Sequence, residues 1–173
     1  MRRAPARPRI PCRGARVIST ELAGFLQSGI SILVGTRDAR LFPDCVRAVG
    51  ARCAPPGELT IFLPDATAGT CIANARDNGR VAATFSRAHD HRSIQVKGRA
   101  IEVRPCDAAE RAAIDAYRCA WAQELAIIGM PPRVTLRMSH WPAHAVRLRV
   151  EAVYVQTPGP GAGAPLVAPE AGR

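Results

Sequence analysis

Lysine is nearly missing from this 173-residue chain: of its 24 basic residues, 23 are Arg and Lys97 alone is Lys. Aromatic residues are scarce as well, at 5%. A nucleic-acid surface spreads basic residues along a face and interleaves aromatics that stack on bases. Here the few aromatics do not alternate with the Arg, so nucleic acid is not an expected partner. Long apolar runs are absent too. Leu22–Thr36 is uncharged but too short to span a bilayer, and Ala152–Pro169 is broken by Pro and Gly. The first residues contain Arg2-Arg3 yet lack the apolar stretch of a secretory signal. The six cysteines (Cys12, Cys45, Cys53, Cys71, Cys106, Cys119) form no C-x-x-C pair and no zinc-like spacing. Scattered thiols without an export signal point to a cytoplasmic protein. A P-loop, a G-x-S-x-G elbow and paired general-acid carboxylates are all missing.

What is present suits one domain of ordinary size, since 47% of residues are apolar. The net charge of +10 is unevenly placed, with six Arg and no acid in residues 1–16. Those residues read as a disordered basic arm. Residues 17–156 read as the folded domain, and 157–173 as a Pro/Gly-rich tail that is extended or mobile. No internal repeat is visible.

Within the domain, Ser19 and Thr20 cap a short helix that stops at Ser28-Gly29. Ile30–Thr36 reads as a strand apolar on both faces. Cys45–Cys53 and Glu58–Leu63 are two strands joined by a hairpin turn at Ala54–Gly57. A helix over Thr67–Arg76 closes at Asn78-Gly79, where glycine fits a left-handed position. Arg80–Arg87 is the next strand, with Val81, Ala83 and Phe85 on one face. In Arg92–Arg104 the apolar parity switches around Gly98, which predicts a bulge or sharp bend. Asp107 and Glu110 form a capping pair for the main helix. Its apolar face is Ile114, Tyr117, Trp121, Leu125 and Ile128, and Pro131-Pro132 ends it. Val146, Leu148, Val150 and Tyr154 then alternate with charged residues in a half-solvated closing strand. Six or seven strands in short-turn succession, one of them bent, argue for a small antiparallel barrel flanked by three helices.

Two arrangements suit an anion. Asp65–Thr70 runs from a strand end into a helix start, where free N–H groups and the Thr67 and Thr70 hydroxyls suit a phosphate; plain capping by Asp65 or Thr67 accounts for the same residues. Arg47 and Arg52 could clamp a phosphate. Five residues apart they face opposite sides of a regular strand, so a shared ligand requires a bulge at Gly50 or one Arg at a strand end. Two solvated surface Arg are the alternative. No metal site is expected from His89, His91, His140 and His144, which lack a carboxylate cluster and helical pairing. Cys71 at a helix start has no evident base and reads as an inert thiol.

The run from Asn74 to Phe85, with Asn78-Gly79-Arg80-Val81-Ala82 at its centre, and the run Arg92–Ala100, with Val96-Lys97-Gly98-Arg99-Ala100, resemble the pyridoxamine 5′-phosphate oxidase-like superfamily. The resemblance covers about Val17 to Val155. It implies a mainly β, α+β fold: a six-stranded antiparallel split β-barrel with flanking helices that forms a homodimer, with FMN in two interface clefts. By that resemblance the strand motif of Arg, four residues and Lys that contacts the flavin phosphate falls on Arg47 and Arg52, with Arg in the Lys place. The helix-start Arg-Lys pair of the oxidase falls on Thr70 and Cys71, so two charges are missing. The flavin-contacting Gln falls on Ser93, with Gln95 two residues on. The oxidase's C-terminal Trp and Arg segment has no counterpart in the Thr157–Gly161 sequence. Charge-assisted contacts contribute about 1.5–3 kcal/mol each, and their loss weakens binding at least tenfold.

The expectation is therefore an FMN-binding oxidoreductase acting on an unknown small molecule rather than a vitamin B6 oxidase. Arg47, Arg52, Thr67 and Thr70 would hold phosphate, the Val49 backbone would meet the flavin ring, and Ser93 and Gln95 would hydrogen-bond it. A non-enzymatic protein of the same fold, carrying haem, a deazaflavin, another small ligand or no cofactor, is the alternative.

Overall fold

The computed structural model describes residues 18–54 and 57–167. The basic arm over residues 1–16, Cys12, the Pro55-Pro56 hairpin tip and residues 168–173 lie outside the described residues. In chain order the elements are α1 (Thr20–Leu26), β1 (Ser31–Arg37), β2 (Pro43–Arg47), β3 (Gly50–Ala54), β4 (Glu58–Pro64), α2 (Asp65–Asp77), β5 (Arg80–Ser86), β6 (Ser93–Pro105), α3 (Ala108–Ile127), α4 (Pro132–Leu136), β7 (Ala143–Val155) and β8 (Pro165–Val167). All strand pairs are antiparallel, in the order β2-β1-β5-β6-β7-β4-β3, with β8 added to β7.

The sheet curls around one core, but among the described residues no ladder joins its two ends. The expected single strand Cys45–Cys53 is instead two. At the break, Ala48 N donates to Ile32 O of β1 (3.0 Å), while Val49 N donates to Phe62 O of β4 (2.9 Å). Adjacent residues thus bond to opposite ends of the sheet. Adjacent N–H groups point to opposite sides of any strand, and here those two sides meet strands near the two ends of the sheet order. Side-chain parity slips at the same place. Val46 and Ala48 face the central core, Val49 packs in a second cluster, and Ala51 faces the central core again. Gly50 allows this approach, since a Cβ there would lie 3.2 Å from the Phe62 ring and 3.4 Å from Tyr117.

The core fills with the alternating positions of the strands, including Ile32, Val34, Leu59, Ile61, Val81, Ala83, Phe85, Val96, Leu148 and Val153. Each fully buried Leu, Ile or Phe contributes roughly 1.5–3 kcal/mol. β1 is not apolar on both faces: Ile32 and Val34 are buried, but Leu33 is 43% exposed. The bend in β6 falls where the apolar parity switches, with register shifts at Lys97/Gly98 and Ala100/Glu102.

Ser19 caps α1 by accepting from Leu22 N (3.2 Å). Helix α2 begins at Asp65 with Pro64 at its N-cap and no side-chain cap, so neither Asp65 nor Thr67 caps it. Its exit is as expected, with Gly79 at φ +69°. The Asp107–Glu110 capping box opens α3. Of the expected apolar face, Ile114, Tyr117, Trp121 and Leu125 are buried, whereas Ile128 is 53% exposed because it follows the last helical residue. The helix ends there, at Ile128-Gly129 (Gly129 φ +92°), and Pro132 opens the short α4 rather than closing α3. The Pro/Gly-rich segment after Thr157 turns back and places β8 against β7.

Gly98 sits at the bend so tightly that a Cβ would lie 2.3 Å from Arg149 O, whereas Gly24 in α1 has open space. We expect Gly98→Ala to destabilise the protein by about 1–3 kcal/mol. Gly24→Ala should stabilise it by about 0.5–1 kcal/mol. Urea unfolding of the two variants checks both, and equal effects would contradict this account of the bend.

Candidate functional site

Strand alternation puts Ser31, Leu33, Gly35 and Arg37 of β1 on the outside of the sheet, opposite the buried Ile32 and Val34. Register then builds rows across this outer face. Arg47 pairs with Leu33, Leu33 with Thr84, Thr84 with Gln95 and Gln95 with Tyr154. One row therefore runs Arg47-Leu33-Thr84-Gln95-Tyr154. The next rows are Ser31-Ser86-Ser93 on one side and Cys45-Gly35-Ala82-Lys97-Ala152 on the other. Three serines, two alanines and a glycine keep the face shallow.

Arg47 leads the central row. Its Nη1 donates to Ser31 Oγ (2.6 Å), and its guanidinium lies 5.1 Å over the Trp121 ring. Burial pulls its pKa below the ordinary arginine value, opposed by the nearby Cys45. Beneath it, the Trp121 Nε1–H is buried with no hydrogen-bond partner among the described residues. A buried indole N–H ordinarily finds an acceptor, so this donor stands out. Further along the face, Gln95 Nε2 donates to Thr84 Oγ1 (3.1 Å). Ser93 Oγ bonds to Ser86 Oγ (2.9 Å) and His91 O (3.0 Å).

Thus Arg47, Ser93 and Gln95 share one surface. The slip at Gly50 also turns Arg52 outward, but it is held elsewhere: its Nη2 is 3.4 Å from Glu110 Oε1. Glu110 and Trp121 are eleven residues apart on α3, roughly 16 Å along the helix. Arg47 and Arg52 are therefore anchored at opposite parts of α3. Val49 is buried with Phe62 and Ile114, and its N–H is committed to Phe62 O. Thr67 and Thr70 are exposed on α2.

Glu110 is 1% exposed and accepts from Arg104 Nη1 and Nη2 at 2.7 Å each. It also accepts from Asp107 N (3.1 Å). The Arg104 hydrogen bonds hold its carboxyl below the ordinary value, against the opposing cost of burial. Cys71, wholly buried, has its thiol pushed up to about 12 by burial. It sits among Thr36, Asn74 and Val34 O as a neutral hydrogen-bonding group. Three of the four histidines contact separate carboxylates: His89 with Glu124 (2.6 Å), His140 with Asp115 (3.3 Å) and His144 with Asp65 (2.7 Å). No three His, Cys, Asp or Glu side chains converge as metal ligands among the described residues. No helix among them is long and apolar enough to cross a membrane.

Sequence periodicity assigns Trp121 to the core, and it misses this residue as a site candidate. The available signal was chemical: a Trp on a buried face still carries an N–H that needs an acceptor.

No protein-family model and no curated protein matches the sequence. Solved structures match in fold. HupZ from Group A Streptococcus aligns with TM-score 0.54 and 22% identity, over 84% of this chain and 100% of its own. A protein from Lactobacillus delbrueckii described as a candidate pyridoxamine 5′-phosphate oxidase aligns with TM-score 0.51 and 18% identity, over 79% of this chain and 93% of its own. An F420 reductase aligns with TM-score 0.51 and 14% identity, over 75% and 93%.

Because its folded pKa lies below the ordinary 4.5, ionised Glu110 stabilises the fold in full above that value and loses the contribution as pH falls through the lower one. We expect Glu110→Gln to cost roughly 2 kcal/mol at pH 7, a penalty that shrinks as pH drops below about 4. Unfolding free energies measured from pH 7 to pH 3 check this; a pH-independent difference would contradict it.

Proposed function

We propose a flavin site on the outer face of a chain whose fold is that of the pyridoxamine 5′-phosphate oxidase-like superfamily. The observation that carries the proposal is the Arg47 guanidinium, held by Ser31 and stacked over the Trp121 ring at the outer face. A guanidinium fixed in this way suits an anionic oxygen of a ligand. Arg47, already held by Ser31 and Trp121, needs little ordering to bind phosphate, and Gln95 and Ser93 lie on the same face for the polar edge of a ring. These residues fit FMN, with Arg47 and Trp121 gripping and Ser93 and Gln95 orienting it.

FMN, when bound, supplies hydride and electron transfer. The protein's share is to bind and orient it and to exclude water, in a small oxidoreductase acting on a small molecule. The shallow face, with Leu33 half exposed at its centre, suits coverage by a second copy of the chain, so the working unit is a homodimer with the cofactor at the shared face. A deazaflavin such as F420 presents related ring chemistry and belongs in the same test. The carboxylate contacts of His89, His140 and His144 leave haem the weaker candidate.

Absorption spectra of the purified protein, before and after FMN or F420 is added and the excess removed, test the proposal. Arg47→Ala should weaken FMN binding at least tenfold, a charge-assisted contact of about 1.5–3 kcal/mol. Trp121→Phe, which keeps the ring and removes only the N–H, should weaken it about three- to tenfold. A protein that retains neither cofactor, or variants that bind FMN as well as the parent, would overturn the site. A Soret band would transfer it to haem.

A further inference from the structure

The short helix α4 is packed inside out. Its buried residue is the polar Thr135, 1% exposed, whose hydroxyl donates to Met130 Sδ (3.7 Å). The apolar residues on either side of it, Val134 and Leu136, are exposed. The buried Arg118 of α3 holds this arrangement, with Nη2 donating to Leu136 O (2.6 Å) and lying 3.5 Å from Met138 O. From the end of α3 to the end of α4, six apolar side chains stand out: Ile127, Ile128, Met130, Val134, Leu136 and Met138. Their exposure runs from 39% at Met130 to 65% at Ile127. The turn between the helices is clear of the rest of the fold, since a Cβ on Gly129 would meet nothing within 4 Å.

Exposed apolar groups gathered in one place mark an interaction surface. Charge identifies what it meets. From Leu125 to Val150 the chain contains no Asp or Glu. Arg133 and Arg137 lie exposed among the apolar residues, with no carboxylate partner among the described residues. Asp115 and Glu124 of α3 are engaged, the first with Arg118 and His140 and the second with His89. We propose that this surface docks on an anionic lipid membrane. The apolar side chains enter the boundary between headgroups and acyl chains, while Arg133 and Arg137 lie at headgroup depth and pair with lipid anions. Like charges oppose a second copy at the same face. A helical peptide needs a groove to lie in, which a protruding turn does not offer. The surface uses none of the residues assigned to the flavin site and stands whether or not a flavin binds.

Flotation of the full-length protein with lipid vesicles tests the proposal. Phosphatidylcholine vesicles with about 30% phosphatidylserine should carry the protein, and pure phosphatidylcholine should carry at least tenfold less. Salt on the order of 0.5 M should release it. Ile127→Ser with Ile128→Ser, and Arg133→Gln with Arg137→Gln, should each cut partitioning about tenfold. These side chains are exposed, so both variants should unfold at the parent's urea midpoint. Met130→Trp gives a reading that needs no loss: its added emission should shift to the blue with anionic vesicles and be quenched by lipids brominated on the acyl chains. No flotation, equal flotation with both vesicles, or no quenching in Met130→Trp would overturn the proposal. So would binding that is abolished by deleting residues 1–16 and untouched by the four substitutions, which assigns it to the Arg-rich arm. Substitutions that change the oligomeric state and leave flotation intact would make this face a contact between copies instead.

Discussion

Two neighbouring amide groups hold this architecture together. Ala48 N bonds to β1 and Val49 N bonds to β4, so one short segment joins both ends of the sheet. β2 and β3 each pair on one side only, with β1 and β4 respectively. With the switch, β2 and β3 are one chain bent around the core. The switch requires a residue that tolerates close approach on its outer side, and Gly50 against Phe62 and Tyr117 meets the requirement.

Helix α3 depends on the same place. Tyr117 packs on Gly50, and its hydroxyl accepts from Ile30 N (3.2 Å) and reaches Ile30 O (3.1 Å) where the chain enters β1. One turn on, Trp121 supports Arg47; at the other end, Glu110 gathers Arg104 and Arg52. The helix thereby positions both arginines beside the strand switch, one at each of its ends. The fully buried Glu110 is compensated by a bidentate arginine and a backbone donor, the condition under which a buried carboxylate is tolerated. The site and the stability of the fold thus rest on one helix.

The outer face shows how sheet register creates function from scattered residues. Arg47, Thr84, Gln95 and Tyr154 span more than a hundred residues of sequence yet form one row. The adjacent row brings Lys97 beside the small residues Ala82 and Gly35.

Much of the local structure was legible in the sequence. The period-two burial of β5, the parity switch at Gly98, the capping box at Asp107 and Glu110 and the glycine exit of α2 all follow from neighbouring residues, and each forms as those residues dictate. A bulge at Gly50 was readable as a condition for Arg47 and Arg52 to share a face, but not the exchange of partners that accompanies it. That exchange depends on β1 and β4, which lie on either side in sequence and meet only when the sheet curls. The same limit hid the role of Trp121. Helical periodicity assigns a residue to a buried face but says nothing of whether its N–H finds an acceptor there. The sequence by itself determined most of the strands and helices, because those choices are made within a few residues, but not the break between β2 and β3, the short α4 or the tail strand β8. Only the tertiary structure decided which cations are neutralised and which remain free, because an ion pair forms between side chains that folding brings together from distant parts of the chain.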